Sequence, residues 1–344
     1  MNLKQMKQAL TSDHYAFLKE NPHLGKNIFL IGLGGSHAYG MEKEDSDIDI
    51  RGIAFNSKRE ILLGEDFEQI TETEKTDTTI YSFHKILKLL TSNNPNTIEI
   101  LGLKPEHYLY LTDIGRELLD SRKMFLSKIC IHTFAGYAMA QLRRLENKSA
   151  MLASQSKQEE HILNSIQNAK YDFKHRYYPH NDSDIRLYID TAVQQGYQTE
   201  IFMDVNLRHY PLRDWSGMWN EMKAIVGSYS KIGKRNEKAI EHNKLGKHMA
   251  HLIRLYMMCI DILEKEEIIT CRIKEHELLM SIRNGEYLDE NRQPKEAFYE
   301  LLQDYEKRFE YAKKNTALPD IPDYKKIDEF KMYVNEKIIK GEIE

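Results

Sequence analysis

The sequence predicts an α+β protein, with strands and helices in its first third and a mainly helical remainder. Three observations point there. Strand-like runs at 27–33, 47–55 and 77–81 all fall before residue 110. Helix-period apolar positions dominate after residue 111. Hydrophobic residues make up 41% and charged residues 30%, which lets the chain bury a core and excludes a mostly disordered one.

Each element has its own signal. Asn27 to Leu33 is a short apolar run ending in glycines, suited to a buried strand. Asp47 to Phe55 alternates polar and apolar residues, the pattern of a strand with one solvated face. Asp77 to Tyr81 is rich in β-branched residues and reads as a third strand. Phe83, Ile86, Leu87 and Leu90 then fall at helical spacing. Pro95 ends that helix, and Asn96 with Glu99 three residues on predicts the cap of the next. Helices are expected near 123–148, 157–176, 236–264 and 294–314, whereas 177–218 holds Pro179, Gly196, Pro211 and Gly217 and is less regular. The expected division is a first domain over 1–110, a helical domain over 111–325 and a charged helix over 326–344.

Composition narrows the function classes. No apolar run reaches the ~18–20 residues of a membrane-spanning helix, so no membrane partner is expected. The first residues carry lysines without an apolar block, which does not read as a signal peptide; a cytoplasmic location is expected. Cys130, Cys259 and Cys271 are too few and too scattered for a disulfide framework or a zinc site. A net charge of −4 gives no whole-protein attraction for nucleic acid, which leaves only a local basic surface.

The chemistry-bearing residues come in three pieces. Gly34-Gly35-Ser36 follows the first strand, where glycines let backbone approach a ligand and free amides at a helix start favour phosphate oxygens. It is not a dinucleotide fingerprint, because Gly32-x-Gly34-x-x-His37 lacks the third glycine. On a strand, Asp47 and Asp49 project to the same face, and a hard divalent cation relieves their repulsion. Arg51 shares that face and could meet a phosphate or hold a carboxylate. Asp77 is a third acid that could ligate metal and accept the proton of an attacking hydroxyl. Taken singly, each piece is more often a tight turn or a solvated strand.

Their order changes this. A strand, a Gly-Ser turn, Asp-x-Asp on a second strand and an acid on a third resembles the DNA polymerase β-like nucleotidyltransferase superfamily. Gly35-Ser36-His37-Ala38-Tyr39-Gly40 with Ser46-Asp47-Ile48-Asp49-Ile50-Arg51-Gly52 looks like its branch linked to RNA-ligase-associated polymerases of bacteria and phages. Asn94-Pro95-Asn96 with Glu99-Ile100-Leu101, Lys247 to Leu255, Ser281-Ile282-Arg283-Asn284-Gly285 and Leu318-Pro319 with Pro322 extend the likeness. The resemblance implies a mixed-sheet catalytic domain. It implies that Gly35 and Ser36 contact the β/γ-phosphates of a nucleoside triphosphate. Asp47, Asp49 and Asp77 would hold Mg²⁺, or Mn²⁺ in its place.

Lys247, His251 and Arg254 lie at i, i+4 and i+7, one stripe of a helix. It reads either as a phosphate-facing surface that binds the nucleotide or as a face engaged in ion pairs. From Lys223 to Arg254 eight lysines and arginines face only Glu237 and Glu241, a local basic excess. The function expected is Mg²⁺-dependent transfer of a nucleoside monophosphate to a hydroxyl, with an RNA 3′ end favoured and a protein acceptor open. Two rivals are weighed. An Asp-x-Asp phosphatase needs an apolar strand running into its first Asp, and Glu42 to Ser46 is polar. The other is a nucleotidyltransferase-fold antitoxin or nucleotide-binding module that modifies or binds a protein partner; a form that had lost its chemistry would not need the full Gly-Ser turn and Asp-x-Asp pair.

Overall fold

In the computed structural model, the described residues are 3–43, 46–151, 162–164, 177–181, 184–191, 193, 199–229, 245–290 and 292–343. The chain divides into two units. One comprises Met1–Gln141, Ala250–Asn284 and Glu296–Glu344; the other comprises Leu142–Met249 and Gly285–Lys295.

The first unit is built on a mixed five-stranded sheet. Its strands are β1 (Ile28–Leu33), β2 (Asp49–Ala54), β3 (Gln69–Glu72), β4 (Asp77–Ser82) and β5 (Tyr108–Leu111), in the order β3-β4-β2-β1-β5. β1 is antiparallel to both β2 and β5, β3 is antiparallel to β4, and β2 and β4 are parallel. Every residue of β1 is buried, as its unbroken apolar run requires. Because β1 runs opposite to β2 and β4, the end of β1 and the starts of β2 and β4 meet at one edge of the sheet. β2 begins at Asp49, so Asp47 precedes the strand instead of sharing its pleat.

The helix Phe83–Thr91 follows β4 directly. Ser82 caps it by accepting from the Lys85 amide at 3.0 Å, and Phe83, Ile86, Leu87 and Leu90 are all buried as their spacing predicts. The next helix, Pro95–Ile98, corrects the expected cap. Asn94 is the N-cap, accepting from the Asn96 amide at 3.0 Å, and Pro95 occupies the first helical position. Proline lacks the N–H that this position leaves unpaired, and its fixed φ suits it. Glu99 is thereby freed from capping and is turned inward.

An aromatic cluster ties the C-terminal helix Tyr324–Lys340 to the sheet. Phe29 stacks on Phe55 at 4.4 Å and meets Phe83 edge-on at 5.9 Å, and Phe330 meets Phe83 at 6.0 Å. Each such pair is worth about 0.5–1.5 kcal/mol beyond its buried area. Asn335 and His84 add a hydrogen bond at 3.2 Å.

The second unit holds a hairpin of β6 (Ile185–Thr191) and β7 (Thr199–Val205) with the helix Leu212–Tyr229. Ile162, Ile185, Met218 and Met222 form its apolar centre. This hairpin falls within the stretch read from sequence as irregular. Long helices span Ile129–Met151, Leu245–Lys265 and Glu296–Asn315, where helices near 123–148, 236–264 and 294–314 are expected. The expected helix over 157–176, the start of the one at 236–264, and five basic residues of the 223–254 run (Lys231, Lys234, Arg235, Lys238 and Lys244) lie outside the described residues, apart from 162–164. None of the three cysteines is disulfide-bonded. Among the described residues no helix is long and apolar enough to cross a membrane.

Candidate active site

The sheet edge carries the Gly-Ser turn. Gly34 ends the extended stretch after β1 and donates its amide to the Asp49 carbonyl at 2.8 Å, fixing the turn on the first residue of β2. A short helix, Gly35–Tyr39, opens immediately. Gly35 has φ +52°, and a Cβ placed on it would lie 1.5 Å from Asp49 Oδ2. The Asp49 carboxylate therefore rests directly against the turn, in space that only a glycine leaves. Ser36 and His37 are buried, at 8% and 7% exposure.

That contact has a direct test. Gly64 also has a positive φ, +68°, but nothing lies within 4 Å of a Cβ there. Gly64→Ala should lose only the left-handed strain, about 1–2 kcal/mol. Gly35→Ala should lose that and also displace Asp49, so its fall in denaturation free energy should exceed the Gly64→Ala value by at least about 1 kcal/mol. Equal losses would show that Asp49 does not lean on the turn.

Asp77 lies opposite Asp49 in the β2–β4 register. Its Oδ1 accepts from Arg51 Nη1 at 3.0 Å, and its carbonyl accepts from the same nitrogen at 3.2 Å. Arg51 thus takes up the option of holding a carboxylate. Asp47 is exposed, just before β2, and the segment leading to it is held from two sides. Ser46 Oγ accepts from the Lys43 amide at 2.8 Å and from Arg283 Nη2 at 3.4 Å. Asp45 of the same motif lies outside the described residues.

Tyr39, at the end of the short helix, reaches a buried polar cluster. Its hydroxyl donates to Glu99 Oε2 at 2.6 Å, and the Arg254 guanidinium lies 3.4 Å from its ring centroid. Arg254 Nη1 also donates to Glu99 Oε2, at 3.5 Å. Arg254 is only 2% exposed, and the carbonyl of Glu99 accepts from Thr270 Oγ1 at 2.7 Å. Burial pushes the Glu99 carboxyl above its ordinary value, and the Arg254 charge works against that. Burial likewise pushes the Tyr39 hydroxyl up.

The stripe Lys247, His251 and Arg254 is therefore not uniform. Arg254 is engaged internally, with Glu99 and Tyr39. Its Nη2 donates to His251 Nδ1 at 2.9 Å, so that nitrogen is the unprotonated acceptor of the ring. Lys247 is exposed and belongs to the portion of the helix assigned to the second unit. Sequence reasoning missed Glu99 and Tyr39 as members of this cluster. The available signal was a carboxylate set among apolar residues, Ile98, Ile100 and Leu101, where an uncompensated charge is costly.

Among the described residues no group of three or more His, Cys, Asp and Glu side chains could hold a metal by itself. The model of the RNA repair pathway DNA polymerase beta family (RlaP) matches residues 6–178, half of the chain. The chain belongs to that family. The match takes in the sheet, the Gly-Ser turn, Asp47, Asp49 and Asp77. It makes the protein a polymerase β-like nucleotidyltransferase-family member linked to RNA repair. A 38.9 kDa uncharacterized protein from the nrdC–mobD intergenic region of enterobacteria phage T4 is 26% identical over 132 residues, covering 35% of this chain. The match spans 39% of that phage protein's length. No solved structure matches.

Proposed function

We propose that the protein transfers a nucleoside monophosphate from a nucleoside triphosphate to a hydroxyl acceptor, an RNA 3′ end foremost, with release of pyrophosphate. The observation that carries this reading is the seating of Asp49 against the positive-φ Gly35, with Asp77 in register beside it. The Gly-Ser turn and the Asp49 carboxylate thus touch, and Asp77 stands beside Asp49 on the neighbouring strand. Family membership supports nucleotide transfer in RNA repair; the donor, the metal and the acceptor are part of the proposal.

The donor set is oxygen only, which suits a hard cation such as Mg²⁺ or Mn²⁺. Mg²⁺ commonly takes one or two carboxylates and completes its shell with water and substrate phosphates, so Asp49 with one further carboxylate, Asp47 or Asp77, would hold it, and the triphosphate would complete a shell that the three acids do not close by themselves. Bound there, the metal would lower the pKa of the acceptor hydroxyl and neutralise charge on the departing pyrophosphate. The amides of the turn and the Ser36 hydroxyl would hold the β/γ-phosphates, and Arg51 would steady Asp77 next to the reacting centre. Asp77 would take the proton from the attacking hydroxyl. Attack is in line on the α-phosphorus: the acceptor O–P bond forms as the bond to the pyrophosphate oxygen breaks. Arg254, through Glu99 and Tyr39, would position the turn. Within the first unit, the proposed phosphate contact of this helix falls to His251.

Incubation with each labelled triphosphate and Mg²⁺ or Mn²⁺, over RNAs ending in 3′-hydroxyl or 3′-phosphate and a panel of protein acceptors, tests the reading. Pyrophosphate release with lengthening of the 3′-hydroxyl RNA is the expected result. Nucleotide binding with no pyrophosphate from any acceptor would overturn it and leave a binding module.

A further inference from the structure

Arg283 stands in the last turn of the helix His276–Asn284, inside the motif Ser281-Ile282-Arg283-Asn284-Gly285. Leu279 and Ile282 of that helix are fully buried, which fixes the stem from which Arg283 projects. Its Nη2 donates to Ser46 Oγ at 3.4 Å, joining residues 237 positions apart in the sequence. Both belong to the first unit. Ser46 is also tied to Lys43 in both directions. Its Oγ accepts from the Lys43 amide at 2.8 Å, and its own amide donates to the Lys43 carbonyl at 3.0 Å. Lys43 and Ser46 are thus fastened to each other, and Arg283 fastens both to a buried helix.

Asp47, the next residue, lies outside the strand ladders. The β2–β4 pairing begins at Asp49, and the β1–β2 pairing begins at Ile50. Like charge on Asp49 opposes bringing the Asp47 carboxylate inward. Of the two acids that could join Asp49 at a metal, Asp77 is already engaged by Arg51 at 3.0 Å. Asp47 takes its placement from the residues before it. A last-turn arginine also suits the negative end of a helix dipole, but that role needs no serine from a distant loop.

We propose that Arg283 is a positioning residue. Acting through Ser46, it holds the approach to β2 so that the Asp47 carboxylate stands beside Asp49 before a divalent cation arrives. This rests on the carboxylate edge being the metal site of the transferase reading. Groups that orient a metal ligand from outside its shell typically change metal affinity by about 10–100-fold. The 3.4 Å contact is longer than the ~2.7–2.9 Å of a strong charge-assisted bond, so the effect belongs at the low end, about ten-fold.

Two readouts, neither of them turnover, test it. Free Mn²⁺ is followed by electron paramagnetic resonance as the full chain is titrated in the presence of a non-hydrolysable triphosphate analogue, with the analogue alone as blank. Amide hydrogen exchange is measured at Lys43, Ser46 and Asp47 without metal or nucleotide. Arg283→Met should bind Mn²⁺ about ten-fold more weakly and exchange faster at these amides, while melting close to the wild type. If it melts early, Arg283→Gln, which keeps a polar side chain at the helix end, takes its place. Ser46→Ala should weaken Mn²⁺ binding likewise, and adding Arg283→Met to it should cost less than about two-fold more, since the two residues act as one link. Equal Mn²⁺ affinity in the wild type and Arg283→Met overturns the inference. So does a full ten-fold loss from Arg283→Met in the Ser46→Ala background, which would mean that Arg283 does not act through Ser46. Faster exchange with unchanged affinity makes Arg283 a structural tie and overturns the positioning role. A wild type that binds no more Mn²⁺ than the blank refutes the metal reading itself, and the inference falls with it.

Discussion

Asp49→Ala is expected to lower nucleotide transfer by about 10³-fold or more, because it removes several kcal/mol of charge stabilisation at the reacting phosphate. The fold should survive. The Gly34 amide binds the backbone carbonyl of Asp49, which alanine retains, and the side chain is only half-buried at the sheet edge. The variant should therefore melt within a few degrees of the wild type, and Asp49→Asn should behave alike because the amide keeps the shape and loses the charge. Asp47→Ala should also abolish transfer, from its exposed place before β2. Pyrophosphate release under single-turnover conditions is the measurement. Full activity in both alanine variants would remove these carboxylates from the mechanism.

Arg254→Met should produce the largest loss of stability. It takes the cation from a buried pair and leaves Glu99, at 8% exposure, without compensation. Such changes cost about 3–5 kcal/mol, which lowers the melting temperature by roughly 10 °C in a unit of this size. The loss has a pH signature. The folded Glu99 carboxyl already titrates above its ordinary value of 4.5, so its contribution to stability falls as pH rises through that raised range. Without Arg254 the carboxyl is displaced further upward, and protonation on lowering the pH relieves the buried charge. The deficit of the variant should thus be larger at pH 8 than at pH 5.5 in urea denaturation. Adding Glu99→Gln should recover part of it, since glutamine still accepts from the Tyr39 hydroxyl. A deficit under 1 kcal/mol at both pH values, or one that grows on acidification, contradicts this account.

Much of the sheet edge was legible because local sequence dictates it. An unbroken apolar run made β1, glycines made the turn, and β-branched residues made β4. Asp49 and Asp77 fall at the starts of β2 and β4 for the same reason. Asp47 was displaced because strand pairing, not alternation, decides where β2 starts, and its ladder with β4 begins two residues later, at Asp49. Glu99 was misread as a cap since the residues that bury it, Tyr39 and Arg254, are 60 and 155 positions away. β3 carries polar, largely exposed residues and β5 is four residues long, so neither gave a clear period. The hairpin Ile185–Val205 did alternate, but neighbouring glycines and prolines obscured it.

The link from Tyr39 through Glu99 to Arg254 and Thr270 also sets a timetable for synthesis. The sheet is complete in the sequence by residue 111, yet the cluster that braces its turn waits for residues that emerge about 170 positions after Glu99. At roughly 5–20 residues per second, a growing chain spends some ten seconds or longer with the sheet made and the brace absent. A ribosome-bound fragment ending before Arg254 exposes an acid that the folded chain hides, and the nascent chain gains the contacts that brace its turn only once Arg254 and Thr270 have been made.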